Sequence, residues 1–209
     1  MNNTIITINR ECGSGGGEIA RLLGEKLGFK VYGRSVLKAV AQQFGITLEE
    51  MDSIKSMRTS WWSEFCSFYQ QYGAAGYAPG TIADPTPKSV YYAEERFLRD
   101  LADKENCIIV GRAGFHIFRN TPNAIHMLLI ADRDARIARI ARKQNLTPEE
   151  AAKVVDEVDK ARDNFVESVA ETSRHDARNY HVCANITGLD PEIVASFLAE
   201  QIRHKMARV

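Results

Sequence analysis

Residues 4–29, TIITINRECGSGGGEIARLLGEKLGF, decide the fold: an apolar run, a glycine-packed turn and an amphipathic segment follow one another without a gap. Residues 4–8 alternate little and read as a strand buried on both faces. Ile19, Leu22, Leu23 and Leu27 recur at three-to-four-residue spacing, which gives a helix one apolar face and leaves Arg21, Glu25 and Lys26 on the wet side. Between strand and helix, Gly13, Gly15, Gly16 and Gly17 leave the backbone uncrowded. Successive N–H groups can then converge on an anion where the helix presents its positive dipole end. This is the context a phosphate loop requires, although the pattern GxxxxGK[ST] is not met and the loop has no lysine. A plain glycine turn in an α/β unit is the structural alternative.

Outward from this unit, further strands are expected at residues 29–32, 107–110, 124–130 and 180–186, separated by helical or looped sequence. Runs such as CIIV and MLLI suit strands covered on both faces, so the fold class is α/β with a parallel, doubly wound sheet and the phosphate loop at its carboxyl edge. Thr147, Pro148 and Glu150 form a helix start, with a capping box and a stripe through Val154, Val158, Ala161 and Phe165. The last helix has Asp190 as cap, Pro191 next, and Leu189 placed to staple onto Val194.

The chain has 209 residues, 44% hydrophobic and 26% charged, enough for one domain with a sizeable core and a small insert. Its formal charge of zero gives no global footprint for nucleic acid, so anion binding must come from local Arg and Lys clusters. Cys12, Cys66, Cys107 and Cys183 form no CxxC pair, and the chain starts on a strand without a charged n-region and cleavage site. A reducing cytoplasm is expected. No apolar run approaches the ~20 residues that cross a bilayer, so no membrane partner is expected. The histidines show no HxxxH or HExxH spacing, and no metal ligands are assigned. Cys12 lies inside the glycine loop, where a helix N-terminus can lower a thiol pKa, but a bland structural role is expected rather than redox sensing.

Residues 56–92 differ in character. They hold Trp61, Trp62, Phe65, Phe68, Tyr69, Tyr72, Tyr77, Tyr91 and Tyr92, and Trp61, Phe65, Phe68 and Tyr72 share one helical face. Two readings stand: a helix packed on the core or at a homodimer surface, and a substrate-binding insert whose aromatics stack on a nucleobase.

Four ordered blocks resemble the cytidylate kinase-like family, a branch of the P-loop nucleoside monophosphate kinases. They are ITINRECGSGGGEIARLLGEKLGF, CIIVGRAGFHIF, DRDARIARIARKQNLTPEEAAKVVDEVDKARDNF and DARNYHVCANITGL. The resemblance implies a five-stranded parallel sheet covered by helices on both faces, an inserted acceptor-binding segment at about residues 34–92 and a basic lid at about 133–178. It implies transfer of the γ-phosphoryl of ATP, with Mg²⁺, to a nucleoside monophosphate, CMP or dCMP being the namesake acceptors. Positioned cations and backbone N–H groups supply most of the stabilisation in such chemistry. A nucleotide-binding module with weak or no kinase activity, and a kinase for a different small acceptor, are the competing readings.

The resemblance also implies roles. Laid over the family's GPSGSGKGT-like loop, Gly13, Ser14 and Gly15 match, Gly16 stands for the lysine and Glu18 for the threonine that helps hold Mg²⁺. The branch pattern SRQYGSGGREIA keeps Arg10 but has an Arg where this chain has Gly17. Residues 13–18 are thus the expected donor site, and Arg10 is a candidate to replace the lysine's charge. Gly111 and Arg112 match the GR pair that approaches the acceptor phosphate, and Arg34 stands where a basic residue follows an Asp, here Gly33. Arg136 and Arg139 are expected to clamp phosphates from the lid. The DKRR-like stretch appears as Asp159, Lys160, Ala161 and Arg162. Lys160 and Arg162 lie roughly 200° apart on a helix, so both reach one phosphate only if the helix ends or bends there. Arg10, Arg112 and Arg162 are the expected catalytic cations. In the closing motif, Tyr180 is expected as a buried tyrosine with a bonded hydroxyl, and Asn185 as an organiser of the donor loop.

Overall fold

A computed structural model describes residues 3–33, 36 and 87–207. The chain forms two compact units, Met1–Gly33 with Asp100–Val209, and Arg34–Arg99. Arg34 and the aromatic residues from Trp61 to Tyr77 lie outside the described residues.

The described elements are β1 (Ile5–Arg10), α1 (Gly16–Leu27), β2 (Lys30–Tyr32), α2 (Pro87–Lys104), β3 (Cys107–Val110), α3 (Gly114–Ile117) and β4 (Ala124–Ile130). Then come α4 (Arg133–Gln144), α5 (Pro148–Ala170), a 3₁₀ turn (Ala177–Asn179), β5 (Val182–Asn185) and α6 (Pro191–Met206). The five strands pair in the order β2-β3-β1-β4-β5, parallel throughout. β1 is therefore central, and β3 and β4 end on either side of the loop that follows it.

Strand alternation sorts two faces. On one, Ile6, Ile8, Ile108, Met127 and Leu129 bury against Ile19 and Leu23 of α1 and Val194, Ala195 and Leu198 of α6. Truncating Leu23, fully buried here, removes contacts worth about 2–5 kcal/mol. Gly24 lets α1 approach this closely, because a Cβ there would lie 2.5 Å from Val31 Cγ2 and 2.8 Å from the Phe29 carbonyl oxygen. On the other face the strands carry Thr7, Asn9 and His126, all buried, and α3 is seated with Gly114 against Thr7 and Ile109.

The capping box of α5 is present: Glu150 N–H donates to Thr147 Oγ1 and Thr147 N–H to Glu150 Oε2. Two details differ from expectation. The buried positions of α5 are Ala151, Val155, Val166 and Ala170, while Ala161 is exposed. Val154 and Val158 pack with Ala151 and Val155 on the α4 cluster around Ile140, and Phe165 packs with Val166 and Ala170 on Phe115, so the two halves of the helix serve two neighbours. At α6, Asp190 caps Glu192 and Ile193, but Leu189 stays 53% exposed and makes no staple. Gly188 at φ +70° turns the chain just before it.

Candidate functional site

β1 ends at Arg10, and the loop from Glu11 to Gly15 turns directly into α1. Gly13 (φ +78°) and Gly15 (φ +94°) occupy left-handed backbone that disfavours a side chain. Space forbids one as well. A Cβ at Gly13 would lie 2.6 Å from the Arg136 carbonyl oxygen, and one at Gly15 2.2 Å from Arg139 Nη1. Ser14 is buried within the loop: its hydroxyl donates to the Glu11 carbonyl (3.0 Å) and accepts from Gly16 N–H (3.3 Å). Among the described residues the amides of Gly13, Gly15 and Gly17 meet no acceptor in the chain. They lie at the positive end of α1, where such amides bind oxyanions.

Arg10 does not point along this loop. A Cβ at Gly16 would lie 2.8 Å from Arg10 Cβ, and one at Gly111 2.5 Å from Arg10 Nη1, so the side chain runs from the start of α1 to the end of β3. There the backbone turns through Gly111 (φ +77°), Arg112 (φ +59°) and Ala113 (φ +51°). Left-handed non-glycine residues cost about 1–2 kcal/mol each, and strain of this kind concentrates at functional sites. From the other side, Arg162 Nη1 (3.1 Å) and Arg174 Nη1 (3.2 Å) both donate to the Arg10 carbonyl. Four guanidinium groups thus gather at the carboxyl ends of β1 and β3. Burial, then Arg162, Arg112 and Arg174, push Arg10 down to about 9. Among the described residues Arg10 has no acidic partner.

Asp159 on α5 organises the remainder. Its Oδ1 accepts from Cys12 N–H (2.8 Å) and Arg162 Nη1 (3.5 Å) and is ion-paired with Arg174 Nη2 (3.1 Å), and its Oδ2 accepts from Arg136 Nη1 (2.6 Å). Arg136 also donates to the carbonyls of Ala131 (3.0 Å) and Cys12 (3.3 Å) and lies 3.4 Å from Glu11 Oε2. Its guanidinium is thereby occupied in seating the loop. Arg139, one turn further along α4, lies against the glycines: it covers Gly15 and lies 3.9 Å from Glu18 Oε2. Gly17 has open space around it. α5 runs without interruption to Ala170, so Lys160 stays exposed on the side opposite Arg162.

The sequence places Asp159 in the DKRR-like stretch without a role, and does not single out Arg174. Arg174 is 1% exposed, ion-paired to Asp163 and Asp159, and held by Asn9 and Tyr180 at its carbonyl. It sits in a connection with no periodicity, so nothing local marks it. Tyr180 donates to the Arg174 carbonyl (2.7 Å) and accepts from Asn9 Nδ2 (2.7 Å). Asn185 donates to Asp132 Oδ1 (3.0 Å) and accepts from Thr187, tying the end of β5 to the start of α4. Burial raises the Cys12 thiol pKa, because desolvation outweighs the nearby cations. Among the described residues no group of three His, Cys, Asp or Glu is arranged to hold a metal, and no helix is long and apolar enough to cross a membrane.

Comparison with known proteins agrees with this architecture. The model of the cytidylate kinase-like family matches residues 5–188. An uncharacterized protein from Eubacterium ventriosum superposes with TM-score 0.70 at 22% identity, over 96% of this chain and 99% of that one. Shikimate kinase from Bacteroides thetaiotaomicron superposes with TM-score 0.51 at 13% identity, over 98% of each chain. Shikimate kinase from Acinetobacter baumannii, in complex with shikimate, gives 0.52 at 14% identity, over 97% and 94%. These likenesses show the P-loop kinase fold. No curated protein matches the chain.

Proposed function

Since the chain belongs to the cytidylate kinase-like family, we propose that it is a phosphotransferase that moves the γ-phosphoryl of ATP to a nucleoside monophosphate, CMP or dCMP by family likeness. The observation that carries this reading is the pairing of two distinct anion-binding features. One is the glycine loop with its amides at the start of α1. The other is Arg10, which has no acidic partner among the described residues, beside Arg112, Arg162 and Arg174.

The loop fits the donor nucleotide. Gly13, Gly15 and Gly17 offer N–H groups to its phosphates, and Arg139 offers a guanidinium directly over them. Mg²⁺ usually takes one or two carboxylates together with substrate phosphates, and Glu18 in the first turn of α1 is the carboxylate that would help hold it. When bound, the ion supplies charge neutralisation along the phosphate chain. Arg10 and Arg112, at the end of β3, hold the acceptor phosphate, and Arg162 keeps positive charge between the two features. Asp159 orients Arg162 and Arg174 and fixes the Cys12 amide, so the cations are in place before substrate arrives.

A second reading, nucleotide binding with little transfer, is favoured by one observation: no lysine is present in the loop, and Arg10 fills the space beside Gly16 where its side chain would start. A panel measuring ADP formation from ATP and Mg²⁺ with CMP, dCMP, UMP, AMP and no acceptor separates the two. Acceptor-dependent ADP supports transfer. Tight ATP binding without turnover on any acceptor supports the second reading, and turnover on a non-nucleotide acceptor alone overturns the substrate assignment.

A further inference from the structure

The sheet face that carries α3 holds a second feature, lined by none of the glycine-loop residues. Its central strands spend buried positions on polar side chains: Thr7 of β1 and His126 of β4 are register partners, 2% and 5% exposed, and Thr7 Oγ1 hydrogen-bonds His126 Nδ1 at 2.8 Å. Such burial is costly unless the groups are bonded, and the opposite face of these two strands buries Ile6, Ile8, Ile125, Met127 and Leu129. The polar row continues. His126 N–H donates to His181 Nδ1 (3.0 Å), which leaves the proton of the neutral His181 ring on Nε2.

Over this row lies a cavity of about 760 Å³, within the range of small-molecule sites. Phe115, Tyr180, His126 and His181 present rings to it, with Phe115 and Tyr180 at 5.2 Å between centroids and His126 and His181 also at 5.2 Å. Its charged lining is Arg119, Arg178 and Glu171. Asp176 satisfies Arg178. Arg119 is different: its Nη1 lies against the His116 ring nitrogens (3.1 and 2.8 Å) and carbonyl (3.3 Å), with no carboxylate in ion-pair range among the described residues. An aromatic-walled cavity with an acid-free guanidinium and an imidazole N–H suits a flat ring bearing an oxyanion.

We propose that this cavity is a second ligand site that takes a small flat molecule carrying one carboxylate or phosphate group, held by Arg119 and His181. The site is built from α3, the end of α5, the 3₁₀ turn and the approach to β5, and does not depend on the chain being a kinase.

The test is an NMR titration of the full chain with phenyl phosphate, benzoate and uncharged benzyl alcohol, following the imidazole signals. His181→Asn identifies the His181 resonance. Saturable shifts of His181 and His116 with phenyl phosphate, benzoate or both are expected, unchanged in Arg10→Ala and weakened about tenfold or more in Arg119→Gln, as loss of a charge-assisted contact implies. The relative affinity of the two anions tells phosphate from carboxylate. Arg119 is exposed, so the variant should keep its near-UV spectrum, and Arg178→Gln serves as a second variant with a smaller effect. The proposal fails if no anion shifts these signals saturably, if benzyl alcohol does so equally well, or if Arg10→Ala rather than Arg119→Gln abolishes the shifts.

Discussion

Placing a cation back into the glycine loop has different consequences at two adjacent positions. At Gly16 a Cβ would stand 2.8 Å from Arg10 Cβ and 3.2 Å from Arg10 Cγ, atoms near the backbone that cannot swing aside. Gly16→Lys therefore overpacks the loop, costs about 1–3 kcal/mol and displaces Arg10 from Gly111. At Gly17 nothing lies within 4 Å, φ is not in the left-handed region, and the residue is already helical. Gly17→Arg gains up to about 1 kcal/mol of helix propensity. A positive side chain in the first turn loses about 0.3–1 kcal/mol against the helix dipole, so stability changes little. One added charge-assisted contact to a donor phosphate is worth about 1.5–3 kcal/mol, or roughly 10- to 150-fold in affinity. Calorimetric titration with ATP and Mg²⁺, beside thermal melting, reads both effects. The expected result is tighter ATP binding by Gly17→Arg at an unchanged Tm, and a lower Tm with weaker binding for Gly16→Lys. Tighter binding by Gly16→Lys without loss of Tm, or no gain by Gly17→Arg, refutes the packing argument and the identification of the loop as the donor site.

Other expectations follow from the same geometry. Arg174→Met removes a buried guanidinium from half-exposed Asp163 and from Asp159, which keep His175 and Arg136 as neighbours, so chemical denaturation should show a loss of about 1.5–3 kcal/mol, that of a charged hydrogen bond. Arg139→Ala should weaken ATP binding about tenfold while leaving the melting temperature within a degree or two, because Arg139 is half-exposed and its link to Glu18 is long; an unchanged affinity removes it from the donor site. Burial, then His181 and Lys205, lower His126 to about 4 from an ordinary 6.5. Unfolded chain takes up a proton below pH 6.5 that the native state refuses until about pH 4. Stability should therefore be flat above pH 6.5 and fall by about 2–3 kcal/mol between those values, and His126→Asn should flatten that stretch of the profile.

Much of the scaffold is legible because its signals are local. The apolar strands around Ile6, Ile108 and Met127, the capping box at Thr147 and the glycine turn before Gly16 each follow from a short stretch of chain. The arginine cluster is not local. Arg10, Arg112, Arg162 and Arg174 come from four segments, and only strand order and the lie of α5 bring them together. Periodicity could not tell that Arg136, on the same face as Arg139, is taken by Asp159 and Glu11 while Arg139 lies over Gly15. Nor could spacing show that the Arg10 side chain turns from the glycine loop toward Gly111.

That direction of Arg10 is the point on which the proposed donor and acceptor sites separate, and label transfer tests it. Wild type and Arg10→Ala are compared for transfer of γ-labelled phosphate from ATP to CMP, with the KM of each substrate measured. The account predicts labelled CDP from wild type, and a KM for CMP about 10-fold or more higher in Arg10→Ala with the KM for ATP little changed. Equal turnover by the two proteins, or a rise confined to the KM for ATP, would contradict it.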